Sequence, residues 1–202
     1  FTNYNPNNSY ECHKYTKIKM NKLMYLLTKE LNNQPKCPFN LLSQYIIDNP
    51  QEINESNNYY KITPLMIMAM NSKTDEDLQI INLLLDNGAN IDAQMVHGYT
   101  ALMYSSQLSN TTSCTKTVEL FLNRGANMEI ADNLTIWTPL AWAATQSNNL
   151  SNIQTVQLLL DRGANTNLKD ANGYTAVGLA ARYLEKNKIF HSNIETVKLL
   201  LD

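Results

Sequence analysis

The stretch LLLDRGANTNLKDANGYTA, Leu158 to Ala176, opens and closes like a phrase 75 residues upstream, LLLDNGANIDAQMVHGYTA, Leu83 to Ala101. Both run from a leucine triplet through Gly-Ala-Asn to Gly-Tyr-Thr-Ala. Working outward, the final Thr recurs as Thr63, Thr100, Thr138 and Thr175, at spacings of 37, 38 and 37 residues. Each Thr opens a first apolar segment: TPLMIMAM, TALMYSSQ, TPLAWAAT and TAVGLAAR. A second follows in each case: LQIINLLLD, TKTVELFLN, IQTVQLLLD and IETVKLLLD. A fixed period of this size is the mark of a repeat array, and it has to be read before any site is sought.

The chemistry of one unit is local. Thr before Pro, at Thr63-Pro64 and Thr138-Pro139, places an N-cap ahead of a residue whose φ is already helical. In the second segment Ile153, Val156, Leu159 and Leu160 fall on one face of a helix, and Leu78, Ile81, Leu84 and Leu85 repeat that face. Gly88, Gly125 and Gly163 stand where a helix ends in a left-handed residue. Gly98 and Gly173 lie in the turn that follows. Five of the six glycines are thereby structural, so no glycine-rich phosphate loop can be assembled.

Helix, loop, helix and projecting turn, with Thr-Pro-Leu, paired small residues, a leucine run and Gly-Ala-Asn, resemble the ankyrin repeat. The resemblance covers residues 59–202 and implies an all-α ankyrin-repeat solenoid with units near 59–95, 96–132, 133–169 and 170–202. The family unit is about 33 residues and this one about 37. The surplus falls between the two helices, in NSKTDEDL and QSNNLSNI. The last unit carries a further four residues within RYLEKNKIFHSN. The family's His after Thr-Pro-Leu is replaced by Met66, Met103, Ala141 and Gly178. The Asn-rich texture, the TALMYSS-like first helices and the S-N-I-x-T-V second helix resemble ankyrin proteins of giant DNA viruses of amoebae, of the mimivirus type.

Upstream, LLSQYIIDNPQEIN (41–54) aligns with INLLLDNGANID, with Pro50 in the place of Gly88. With IKMNKLMYLLTKEL (18–31) it reads as a degenerate N-terminal capping repeat over 18–58, as terminal repeats are atypical on their solvent side. Residues 1–17 read as a polar leader. The final LLLD is expected to run on into a Gly-Ala turn, as it does in every complete unit.

Composition narrows the function. The 202 residues are 44% hydrophobic and 17% charged, which describes a core-forming chain. A formal charge of -2 with a pI near 5.9 gives no electrostatic reason to expect nucleic acid or an anionic membrane. No apolar run reaches the roughly 18–20 residues of a membrane helix, and the N-terminus lacks a secretory layout. Three scattered cysteines, Cys12, Cys37 and Cys114, point to a reducing intracellular, cytoplasmic setting rather than a disulfide scaffold.

Cys12-His13, Cys37, His97, Cys114 and His191 have no metal-ligand spacing, and no nucleophile elbow or dinucleotide fingerprint occurs. No cofactor, metal or catalytic site is expected. The cluster Asp75-Glu76-Asp77 is read as a solvated first helical turn. What remains is a row: Ile62, Tyr99, Trp137 and Tyr174 each precede an anchor Thr. The resemblance implies that this position lines the concave binding face. It implies the same of the two positions after the paired small residues, Met70/Asn71, Gln107/Leu108, Thr145/Gln146 and Arg182/Tyr183. Binding a partner and packing on neighbouring hairpins both explain such a row. The turn ADNLTIWTP is one residue longer than its neighbours and lacks Gly, so Trp137 and Ile136 are expected to project outward. The expected function is a monomeric, non-catalytic module binding a host protein, as the resemblance implies, and acting as an adaptor to ubiquitin-ligase machinery. The alternatives are the substrate-selecting region of a larger enzyme and a virion scaffold component.

Overall fold

The computed structural model describes residues 21–29, 38–57, 59–184 and 192–201. The leader 1–17, Cys12-His13, Cys37, His191 and most of the last insertion lie outside the described residues. Among the described residues ten helices follow in order: α1 Lys22–Lys29, α2 Phe39–Asp48, α3 Pro64–Met70, α4 Asp75–Asp86, α5 Ala101–Leu108, α6 Thr115–Asn123, α7 Pro139–Gln146, α8 Ile153–Asp161, α9 Ala176–Arg182 and α10 Ile194–Leu201. A 3₁₀ turn, Pro50–Glu52, follows α2. Odd-numbered helices stack in an inner row, α1 on α3 on α5 on α7 on α9, and each packs against the even-numbered helix that follows it. With no strand among the described residues, this is an all-α solenoid.

The anchor threonines do what their position predicts. Thr63, Thr100, Thr138 and Thr175 each accept a hydrogen bond from the backbone N–H three residues on, at 3.3 to 3.5 Å. Gly88, Gly125 and Gly163 take φ of 89°, 83° and 83° at the helix ends. The core comes from the inner-row helices and from one face of each outer helix: Ile81 and Leu84, Val118 and Phe121, Val156 and Leu159, all fully buried. Each such side chain contributes about 1.5–3 kcal/mol on leaving water.

Three interlocks repeat between units. Ser72 meets Thr117, Ser109 meets Thr155 and Ser147 meets Thr196, each pair of hydroxyls at 2.7 Å in the buried seam. Four residues after each helix-ending position, Asn54, Asp92 and Glu129 accept the backbone N–H of the next unit's Gly-Ala-Asn asparagine, at 2.7, 2.9 and 2.9 Å. Asn54 thus stands to Pro50 as Asp92 stands to Gly88. On the outside, Arg124 bonds Asn82 and Asp86, and Arg162 bonds Asn123 and pairs with Glu119. These exposed pairs are worth little individually, whereas the buried hydroxyl pairs leave no donor stranded.

The surplus length is spent in two ways. In the first unit it lengthens the outer helix: Thr74 and Asp77 form a reciprocal cap at the start of α4, with Asp77 buried and accepting from Lys73 and Thr74. Asp75 and Glu76 occupy the solvated side of that turn. In the second and third units it becomes a loop that folds back onto the inner helix. Ser113 N–H bonds Leu108 O, Ser151 N–H bonds Gln146 O, and the two loops meet where Asn110 N–H bonds Leu150 O.

Candidate protein-binding site

Each unit is preceded by a hairpin closed by the same backbone bond. Asn57 donates to Ile62, Met95 to Tyr99, Asp132 to Trp137 and Asp170 to Tyr174. The four row residues therefore do occupy one structural position. Adjacent hairpins are joined in turn: Val96 N–H to Tyr60 O at 2.9 Å, Asn133 N–H to His97 O at 2.9 Å, and Ala171 N–H to Thr135 O at 3.2 Å. Gly98 is required by the second of these junctions, since a Cβ there would meet the Asn133 backbone nitrogen at 2.7 Å.

Exposure along the row is uneven. Tyr174 is 39% exposed and Ile62 half-buried, but Tyr99 and Trp137 are buried at 7% and 4%. The outward projection expected of Trp137 does not occur. Its ring lies edge-on to Trp142 at 4.7 Å and near Tyr183 at 6.2 Å, and its indole N–H donates to Asp170 Oδ2 at 3.3 Å. Tyr99 stacks on Tyr104 and tilts against Trp142, both at 5.2 Å. Aromatic rings so arranged gain from edge and offset contacts as well as from lost water.

The extra residue of the third turn is absorbed around Asp132. This carboxylate, 1% exposed, accepts from the backbone of Leu134, Thr135 and Trp137, from the Thr135 hydroxyl and from the Trp142 indole. Winding the turn about Asp132 pulls Trp137 inward and pushes two other residues out: Leu134 is 61% exposed and Ile136 44% exposed. Ile136 also takes φ of 60°, in the register that glycine fills as Gly98 and Gly173 and that Lys61 fills with φ of 57°. A β-branched side chain in the left-handed region is strained.

The second set of expected contact residues divides similarly. Arg182 is exposed, while Met70, Asn71, Leu108 and Tyr183 are half-buried. Gln107, Thr145 and Gln146 are buried, at 1%, 0% and 0%. The cause is the fold-back of the lengthened loops onto the ends of α5 and α7. The hairpin side thus offers Leu134, Ile136, Tyr174 and Arg182, with Val96 and Tyr59 exposed further along it. Leu134 is absent from the sequence-based set; its signal was an apolar residue at the crest of a turn. Inner helices α3, α5 and α7 carry no charged residue, whereas Arg182 stands in the last turn of α9.

Among the described residues, no three His, Cys, Asp or Glu are grouped to hold a metal ion, and no helix is long and apolar enough to cross a membrane.

A family model described as ankyrin repeats (three copies) matches residues 32–132 and 109–202. An ankyrin repeat protein of Acanthamoeba polyphaga mimivirus is 42% identical over 74 residues, 36% of this chain and 14% of that protein. The mouse ankyrin repeat, SAM and basic leucine zipper domain-containing protein 1 is 38% identical over 64 residues, 31% of this chain and 13% of that one. The chain therefore matches only about one seventh of the length of these relatives. The likeness to mimiviral ankyrin proteins read from the sequence is met by the first of them. Repeat register, caps, helix-ending glycines and family match agree: the chain belongs to the ankyrin repeat family.

Proposed function

We propose that this chain is a non-catalytic module that grips a protein of the host cell, in the host cytoplasm, through the tips of its hairpins. Its family supplies interaction modules, and the mimiviral relative supports a host partner. The observation that carries the hairpin-tip reading is Ile136. A half-exposed β-branched residue at φ of 60° costs the fold of order 1–3 kcal/mol where glycine would cost none. Leu134 beside it adds exposed apolar surface that stability does not use. Two such residues on one turn suit a contact that is completed only by a partner.

Within a longer chain, such a module would present its bound protein to ubiquitin-ligase machinery, a role supported by the family resemblance alone. The test of the binding reading is capture from amoebal lysate by the immobilised chain and by a Leu134→Ser/Ile136→Gly variant. A protein held by the first and lost by the second, with the variant's melting midpoint no lower, supports it. Equal capture by both overturns it.

A further inference from the structure

The hairpin-tip reading leaves open what chemistry the partner must present, and the fourth unit answers it. The other two arginines among the described residues are both committed, Arg124 to Asp86 and Arg162 to Glu119. Arg182 has no carboxylate partner among the described residues. Its guanidinium lies over the Tyr174 ring at 5.1 Å from the centroid, with both side chains exposed. The carboxylate of the same hairpin is already engaged: Asp170 accepts from the backbone of Asn172 and Tyr174 and from the Trp137 indole, at 2.8, 2.8 and 3.3 Å. The adjoining hairpin is held alongside by the bond from Ala171 N–H to Thr135 O, and Thr135 is flanked by exposed Leu134 and Ile136.

We propose that Arg182, held over the Tyr174 ring, receives a carboxylate of the bound protein, while Leu134 and Ile136 take an apolar side chain of the same segment one repeat away. The inference rests on the hairpin-tip reading and adds the partner's chemistry to it. A guanidinium laid on an aromatic face keeps its edge, with its N–H fork, turned toward solvent. That fork matches the two oxygens of Asp or Glu. The ring contact also restricts the side chain beforehand, so less freedom is lost when the ion pair forms.

The test pans a displayed library of random, unphosphorylated peptides on the intact chain, then measures selected binders against Arg182→Gln and against Leu134→Ser/Ile136→Gly. The expected result is enrichment of Asp or Glu near an apolar residue, with affinity falling about tenfold or more in Arg182→Gln, the scale of one charge-assisted contact. Binders without acidic enrichment, or with affinity unchanged by Arg182→Gln but lost with Leu134→Ser/Ile136→Gly, overturn the carboxylate inference and leave the hairpin-tip reading standing. No binders, or binders indifferent to both variants, overturn both.

Discussion

Trp137 reaches across a repeat boundary to donate its indole N–H to Asp170 at 3.3 Å, so the third and fourth hairpins share one side-chain bond beneath their backbone junction. The largest side chain of the row is thereby a packing residue. Replacing it with Ala removes a buried indole and strands part of Asp170's bonding, and is expected to cost about 3–5 kcal/mol. Trp137→Phe keeps most of the ring and is expected to cost about 1–2 kcal/mol. Denaturant melts of the two variants check the order. Equal and negligible losses would place the indole outside the core.

Asp170 also makes stability depend on pH. Its burial alone would raise its pKa, but the N–H groups of Tyr174 and Asn172 and the Trp137 indole outweigh that and hold it below the ordinary carboxylate value. A depressed folded-state pKa adds stability that is full above the unfolded value, about 4, and is lost as pH falls through the folded value. The gap in melting midpoint between wild type and Asp170→Asn should therefore be widest near neutrality and narrow as pH drops below about 4. A gap that widens on acidification would reverse the sign and contradict this account.

Ser106 is the odd member of its register. It stands six residues after Thr100, where the other units place Ala69, Ala144 and Ala181. It is 0% exposed, and its hydroxyl has no hydrogen-bond partner. A buried hydroxyl left unpaired costs about 1–3 kcal/mol, so Ser106→Ala is expected to raise stability by about 1 kcal/mol. The urea midpoint should rise with an unchanged slope. Its neighbour Ser105 donates to Leu102 O at 3.1 Å and is the control: Ser105→Ala should bring no gain.

What the sequence made legible was the local chemistry. Thr63 and Thr138 cap as Thr-Pro predicts, and Gly88, Gly125 and Gly163 take the left-handed conformation their place after a leucine run requires. Pro50 could be aligned with Gly88 from letters alone, and Asn54 accepts from Asn90 N–H as Asp92 accepts from Asn127 N–H. The direction of side chains at the site was not legible. Whether Trp137 faced out depended on Asp132, five residues away, winding the turn around its carboxylate, and on Trp142 offering a ring from α7. The surplus between helices could be counted, but nothing local said that it would fold back and bury Gln107, Thr145 and Gln146.

Ile136→Gly tests the central claim most directly, because hairpin-tip binding and fold stability pull on it in opposite directions. Glycine relieves the φ of 60° and removes the half-exposed side chain. The measurement is the melting midpoint of this variant together with its affinity for the partner captured by wild type. The prediction is a more stable chain, by about 1 kcal/mol, that binds more weakly, by about tenfold. A variant that is less stable, or that binds as tightly as wild type, would contradict it.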